Sequence, residues 1–254
     1  MASMDAVNSK FNWARHHFEL LYAEVAEYLK VNPCEFVPKP NVSTDENGRS
    51  WVMGTFEAKI PIPERVPLIV GDCLGNLRST LDYLVWELVL ANRKHPTPLN
   101  AFPIALTSDA YTKELERGRL SGVDPKAIAL ITDLQPYHLG ASADQSILAV
   151  LNKFSNINKH RRILLTGLKT VMPMPDLHYV GAQAFATVNP PAIQGNAEFG
   201  PFEVFGDEVK VKAQVVAYIA FDEAPAQGFD VYSMIERIAD YISTTMFPMF
   251  DSFF

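Results

Sequence analysis

Gly71-Asp72-Cys73-Leu74-Gly75-Asn76-Leu77-Arg78-Ser79-Thr80-Leu81-Asp82 places Leu74, Leu77 and Leu81 three and four residues apart. That spacing belongs to one face of an α-helix. Leu84 and Leu88 continue the stripe, and Val85, Trp86 and Val89 widen it. The pattern predicts a central helix over 71–92 that touches more than one neighbour. Asp72 is expected to cap or precede its first turn. Gly71 is expected to supply a turn, and Gly75 to let another element approach. Pro63 and Pro67 read as a stiff connection ahead of it.

Outward from this helix, the two flanks differ. On the N-terminal side, Phe11, Phe18, Leu21, Val25 and Leu29 predict a helix over 10–30. Residues 38–50, with two prolines and Asn47-Gly48, read as a solvent-facing loop. Trp51–Ile62 alternates as a strand, with Pro61 at a frayed end or edge. On the C-terminal side, short helices are expected over 108–117, capped by Ser108, and over Pro125–Leu134. A longer one runs from Asp144 to about Asn158. Beyond His160 the period changes to two. Ile163–Leu168, Tyr179–Val188, 199–205 and 208–221 are strand candidates, with Gly206-Asp207 in a turn. Phe229–Phe247 reads as a final amphipathic helix.

Helices and strands are therefore segregated rather than alternated. This predicts an α+β fold, a helical core packed against a small, mainly antiparallel sheet. One domain is expected over 1–254: a helical core to about 160, a strand-rich elaboration over about 161–225, and a C-terminal helix over about 229–247.

Composition bounds the function classes. The chain has 254 residues, 48% of them apolar, with 16 phenylalanines, enough for a sizeable core. Its formal net charge is -7 and it has no long basic block, which disfavours a broad nucleic-acid surface and leaves only a narrow cleft open. Cys34 and Cys73 form neither a disulfide scaffold nor a metal cluster. No signal-peptide pattern or bilayer-length apolar run is found, so a cytoplasmic protein with no membrane partner is expected. No cofactor or metal is implied.

The polar residues on the helices carry the candidate chemistry. Arg78 and Asp82, four apart, share one helix face, so Asp82 can fix the guanidinium. Arg78 is then a candidate for binding phosphate or carboxylate, or one half of an intrahelical salt bridge. Asn152, Asn156 and His160 repeat every four residues, and Lys159 and Arg161 flank the histidine. His160 can act as acid or base, with Arg78 and Lys159 stabilising negative charge. The same basic residues equally suit a helix C-terminus. Tyr83, Trp86 and Tyr137 are pocket candidates, with a core role favoured for Trp86. The aromatic tail Phe247–Phe254 is expected to fold back into the core or cover a partner subunit.

Gly71, Asp72, Leu74, Asn76, Leu77, Arg78, Leu81 and Asp82, with Asn156, Ile157, Lys159, His160 and Arg161 later, resemble the motifs of an uncharacterised bacterial protein family. Phe102-Pro103-Ile104 and Leu134-Gln135-Pro136-Tyr137 add to the resemblance, which covers 51–165 best. A fainter one is to HEPN-type helical domains, some of which cleave RNA with an arginine and a following histidine. Arg78 matches that arginine, and Tyr83 stands where the histidine is expected.

Three functional readings follow. The first is an accessory protein binding a small molecule or a phosphate-containing anion through Arg78, Asp82, Asn152, Asn156, His160 and Arg161. The second is a metal-independent nuclease or phosphodiesterase using His160, Arg78 and Lys159. The third is a structural homo-oligomer with a buried polar helix–helix network.

Overall fold

The computed structural model describes residues 2–31, 33–44, 46–48, 50–173, 199–205, 208–210 and 213–254. The architecture is α+β, a helical core packed against a small antiparallel two-stranded sheet. Helix α1 (Asp5–Lys30) lies along α2 (Arg65–Ala91). Three contacts fix their sense: Ser3 N–H donates to Glu87 (3.2 Å), Lys10 Nζ to Asn76 (2.6 Å), and Arg65 pairs with Glu24 (2.7 Å). As α1 advances its partners move back along α2, so the helices are antiparallel.

Helix α2 begins six residues before the predicted start at Gly71. Pro67 belongs to its first turn, where a missing N–H leaves no bond unmade. Asp72 is therefore in the helix interior, exposed, and caps nothing. Both glycines lie inside the helix, and neither has its expected role. A Cβ on Gly71 would sit 2.1 Å from Asn158 Oδ1, whereas one on Gly75 would meet nothing within 4 Å. Gly71 is the point of close approach, and Gly75 faces open space. Leu74, Leu77, Leu81, Leu84 and Leu88 are buried as the stripe predicts. Trp86 is not in the core; it is 43% exposed.

After α2, a connecting segment leads into α3 (Ser108–Glu116) and α4 (Pro125–Asp133). Thr107, not Ser108, caps α3 by accepting from Ala110 N–H, and Asp124 caps α4 through Lys126 N–H. The stretch Pro136–Gln145 is 3₁₀-helical. Helix α5 (Ile147–His160) then starts behind Ser146, whose hydroxyl accepts from Ala149 N–H. Asp144 thus precedes the helix instead of opening it.

Two antiparallel sheets are formed among the described residues. The expected loop over 38–50 is mostly strand: β1 (Cys34–Thr44) pairs with β2 (Ser50–Ala58) around a turn containing Gly48 at φ +76°. The prolines are tolerated because β1 is an edge strand and its register shifts between Pro38 and Val42. β4 (Phe199–Phe205) and β5 (Glu208–Lys210) continue this sheet in the order β1-β2-β4-β5. β3 (Leu165–Pro173) pairs with β6 (Ala213–Phe221) along its whole length. The strand expected over Tyr179–Val188 and the turn at Gly206-Asp207 lie outside the described residues.

The β3–β6 ladder joins the helical core through Ile219 and Phe221, and Phe221 stacks on Phe154 of α5 at 4.4 Å. The chain closes with α6 (Val231–Asp240), capped by Asp230, a π-helical run Tyr241–Met246, and α7 (Phe247–Phe250). The aromatic tail folds back. Phe250 is fully buried, and Phe247 meets Phe11 edge-on at 5.4 Å.

Candidate functional site

The Arg78 side chain leaves α2 toward the connecting segment at Phe102. Its Nη1 donates to Asp82 Oδ1 at 2.7 Å, and its Nη2 donates to the Phe102 carbonyl at 2.8 Å. The same Asp82 oxygen accepts from Phe102 N–H at 2.8 Å. One ion pair thus satisfies both polar groups of a buried backbone unit. Three residues on, Gln135 grips the segment from the other side. Its Oε1 accepts from Ala105 N–H at 3.0 Å, and its Nε2 donates to Pro103 O at 2.9 Å and Ile131 O at 3.0 Å. Gln135 is only 2% exposed, so these bonds are made away from water.

This arrangement replaces a sheet partner. Residues 102–105 join no strand, and Arg78, Asp82 and Gln135 meet the Phe102 N–H and carbonyl, the Pro103 carbonyl and the Ala105 N–H. The Phe-Pro-Ile and Leu-Gln-Pro-Tyr segments are two halves of one contact. Nothing in the spacing signals that Gln135 belongs with Arg78, because 57 residues separate them.

The second polar group lies elsewhere. Asn158 abuts Gly71, and Arg162 faces Glu64 at 3.7 Å, so the C-terminal end of α5 sits beside the N-terminal end of α2. Arg78 is seven residues beyond Gly71, about 10 Å farther along the axis at ~1.5 Å per residue. His160 lies past Asn158 in the opposite direction. The structure therefore does not bring Arg78 and His160 together.

His160, Lys159 and Asn156 are exposed, and Asn152 is half-buried. Lys159 donates to Asn156 at 3.3 Å, and His160 has no hydrogen bond or ion pair to another described residue. Arg161 forms a two-point ion pair with Glu223, Nη2 to Oε2 at 2.5 Å and Nη1 to Oε1 at 3.3 Å. Glu223 also accepts from Leu164 N–H at 2.8 Å. Burial raises the Glu223 pKa, but the bonds from Arg161 and Leu164 and the arginine's charge bring it below the ordinary glutamate range. This pair ties the end of α5 to the loop after β6.

Arg78 and Tyr83 are five residues apart, about 140° around the helix. Arg78 turns to Phe102, whereas Tyr83 is 45% exposed on the α1 side, with Lys10 Nζ 6.0 Å from its ring.

A cluster that spacing did not reveal lies between α1 and α2. His17 Nδ1 is 3.9 Å from Asp72, and Trp13 stacks on His16 and meets His17 edge-on, each at 5.2 Å. His16 is exposed and His17 half-buried. Trp13, Leu20, Leu68, Tyr83 and Trp86 are exposed along these two helices. Cys73 is buried, and burial pushes its thiol up to about 12, an unreactive setting.

Among the described residues, no three His, Cys, Asp or Glu side chains gather as a metal site, and no helix is long and apolar enough to cross a membrane. No protein-family model, curated protein or solved structure matches the chain.

Proposed function

We propose that this chain is a structural, self-associating protein, with the Arg78–Asp82 network as internal architecture and the α1–α2 face as the contact between two copies. The observation that carries this reading is the exposure of Trp13, Leu20, Leu68, Tyr83 and Trp86 on adjacent helices, between 40% and 59% each. Side chains of this size, about half exposed, present on the order of 100 Å² each. The five give roughly 500 Å², toward the upper end for the largest patch on a monomer. A polar rim brings the face toward the ~800 Å² per partner of a standard interface.

The face also suits a two-fold contact. Lys10 lies beside Asn76 and Tyr83, and Asp72 lies beside His17, farther along the helix pair. A two-fold axis across the face carries the cation of one copy toward the carboxylate of the other, a self-complementary arrangement. The anion-binding reading draws no support from Arg78, whose guanidinium is already engaged by Asp82 and Phe102 O.

Light scattering after size exclusion tests the proposal. The expected mass is twice the chain mass of 28.3 kDa for the parent and once that mass for Trp86→Glu, with unchanged circular dichroism. A parent that stays monomeric from micromolar concentration upward overturns it, as does a Trp86→Glu variant that remains dimeric.

A further inference from the structure

On the opposite flank of α1 from that face, a cavity of about 370 Å³ opens between α1, α6 and the π-helical run. That size lies within the ~300–1,000 Å³ of small-molecule sites. Phe11, Phe18, Leu77 and Ile235 supply apolar walls, and Tyr232 adds an aromatic ring stacked on Phe18 at 4.2 Å. Such walls take an apolar ligand body.

The charged lining decides the ligand's other end. Glu19, Glu236 and Asp240 face the cavity with Arg15, three carboxylates against one guanidinium, an excess of two negative charges. All four side chains are exposed, and none makes a hydrogen bond or ion pair with another described residue. Arg15 therefore does not neutralise its neighbours by direct pairing. The hydroxyls of Ser243 and Thr244 donate to the Asp240 backbone carbonyl at 3.3 and 2.7 Å, which leaves the Asp240 carboxylate unengaged. Tyr232 registers the same field: burial, and then the charge of Glu236, raise its phenol pKa. Apolar walls beneath a negative rim concentrate cations, and a tyrosine face attracts them further.

We propose that this α1–α6 cavity binds a small organic cation, an ammonium group attached to an apolar or aromatic body. The ammonium sits among Glu19, Glu236 and Asp240, and the body lies against Phe18 and Tyr232. The wider backbone turn of Tyr241–Met246, a form of helix common at functional sites, brings Ser243 to the rim beside Asp240. This inference does not depend on self-association, because the cavity and the exposed aromatic face occupy different sides of α1.

Three probes of matched body and different charge test it by chemical-shift titration of the full chain: 2-phenylethylammonium, 2-phenylethanol and 3-phenylpropionate. The ammonium is expected to bind saturably and shift Tyr232 and Ser243 signals, at least about tenfold more tightly than the alcohol or the carboxylate. Raising salt weakens it. The double variant Glu236→Gln, Asp240→Asn removes exposed, unpaired charges and retains the parent fold by circular dichroism, while ammonium affinity falls about tenfold or more. Equal binding of ammonium and alcohol, preference for the carboxylate, undiminished binding to the folded double variant, or no saturable shift at Tyr232 and Ser243 overturns the proposal.

Discussion

Arg78 and His160 both ride on apolar helices, and both sit among amide and charged neighbours. Arg78 is enclosed by the segment around Phe102, and its guanidinium is engaged by Asp82 and the Phe102 carbonyl. His160 is at the open end of α5, where solvent meets its hydrogen-bonding needs. Polar residues in an apolar helix acquire their role from what lies opposite them. A buried backbone opposite makes them indispensable to the fold, because an unmet buried polar group is costly, whereas water opposite makes them replaceable.

Four substitutions separate the two regions by the size of their effects. Gln135→Ala strikes the enclosed region hardest. It strands Ala105 N–H and Pro103 O and leaves a void, for an expected loss of about 3 kcal/mol in urea denaturation. A loss below 1 kcal/mol would mean that water replaces the side chain freely. Arg78→Met comes next. It keeps the apolar stem, unpairs Asp82 and Phe102 O, and is expected to cost about 2 kcal/mol by the same measurement. An unchanged midpoint would remove Arg78 from the architecture.

At the open region the effects shrink. Glu223→Gln weakens the tie to Arg161 and Leu164 N–H, with an expected drop of about 2–4 °C in Tm at neutral pH. The folded carboxyl titrates below its unfolded value. Its contribution is therefore complete above the ordinary glutamate range and is lost as pH falls through the depressed folded value. The Tm gap between parent and variant closes on acidification; a gap that widens in acid contradicts the assignment. The smallest effect belongs to His160→Ala, expected within about 0.5 kcal/mol of the parent. Substantial destabilisation there would erase the contrast between the two regions.

Legibility in the sequence follows the range of the interactions. The Arg78–Asp82 pair was readable because four residues is one helical turn. Its engagement with Phe102 was not, because that bond depends on where the chain returns after leaving α2. The loop expected over 38–50 failed on its prolines: local preference opposes them in a strand interior, but an edge position and a register shift accommodate them. The two glycines illustrate the same limit. Both read as permissive backbone points, and only the packing of Asn158 against Gly71 distinguishes them.

The helix periods, the change to strand pattern after His160, the leucine stripe of α2 and its ion pair are all legible locally, because neighbours within a turn or two set them. Long-range packing places Gln135 on the segment that Arg78 holds, keeps Arg78 and His160 apart, turns Trp86 to solvent, and lines one cavity with Glu19, Glu236 and Asp240. Those outcomes rest on which helix faces oppose one another, and that is fixed by burying the whole apolar surface at once, not by any local stretch of chain.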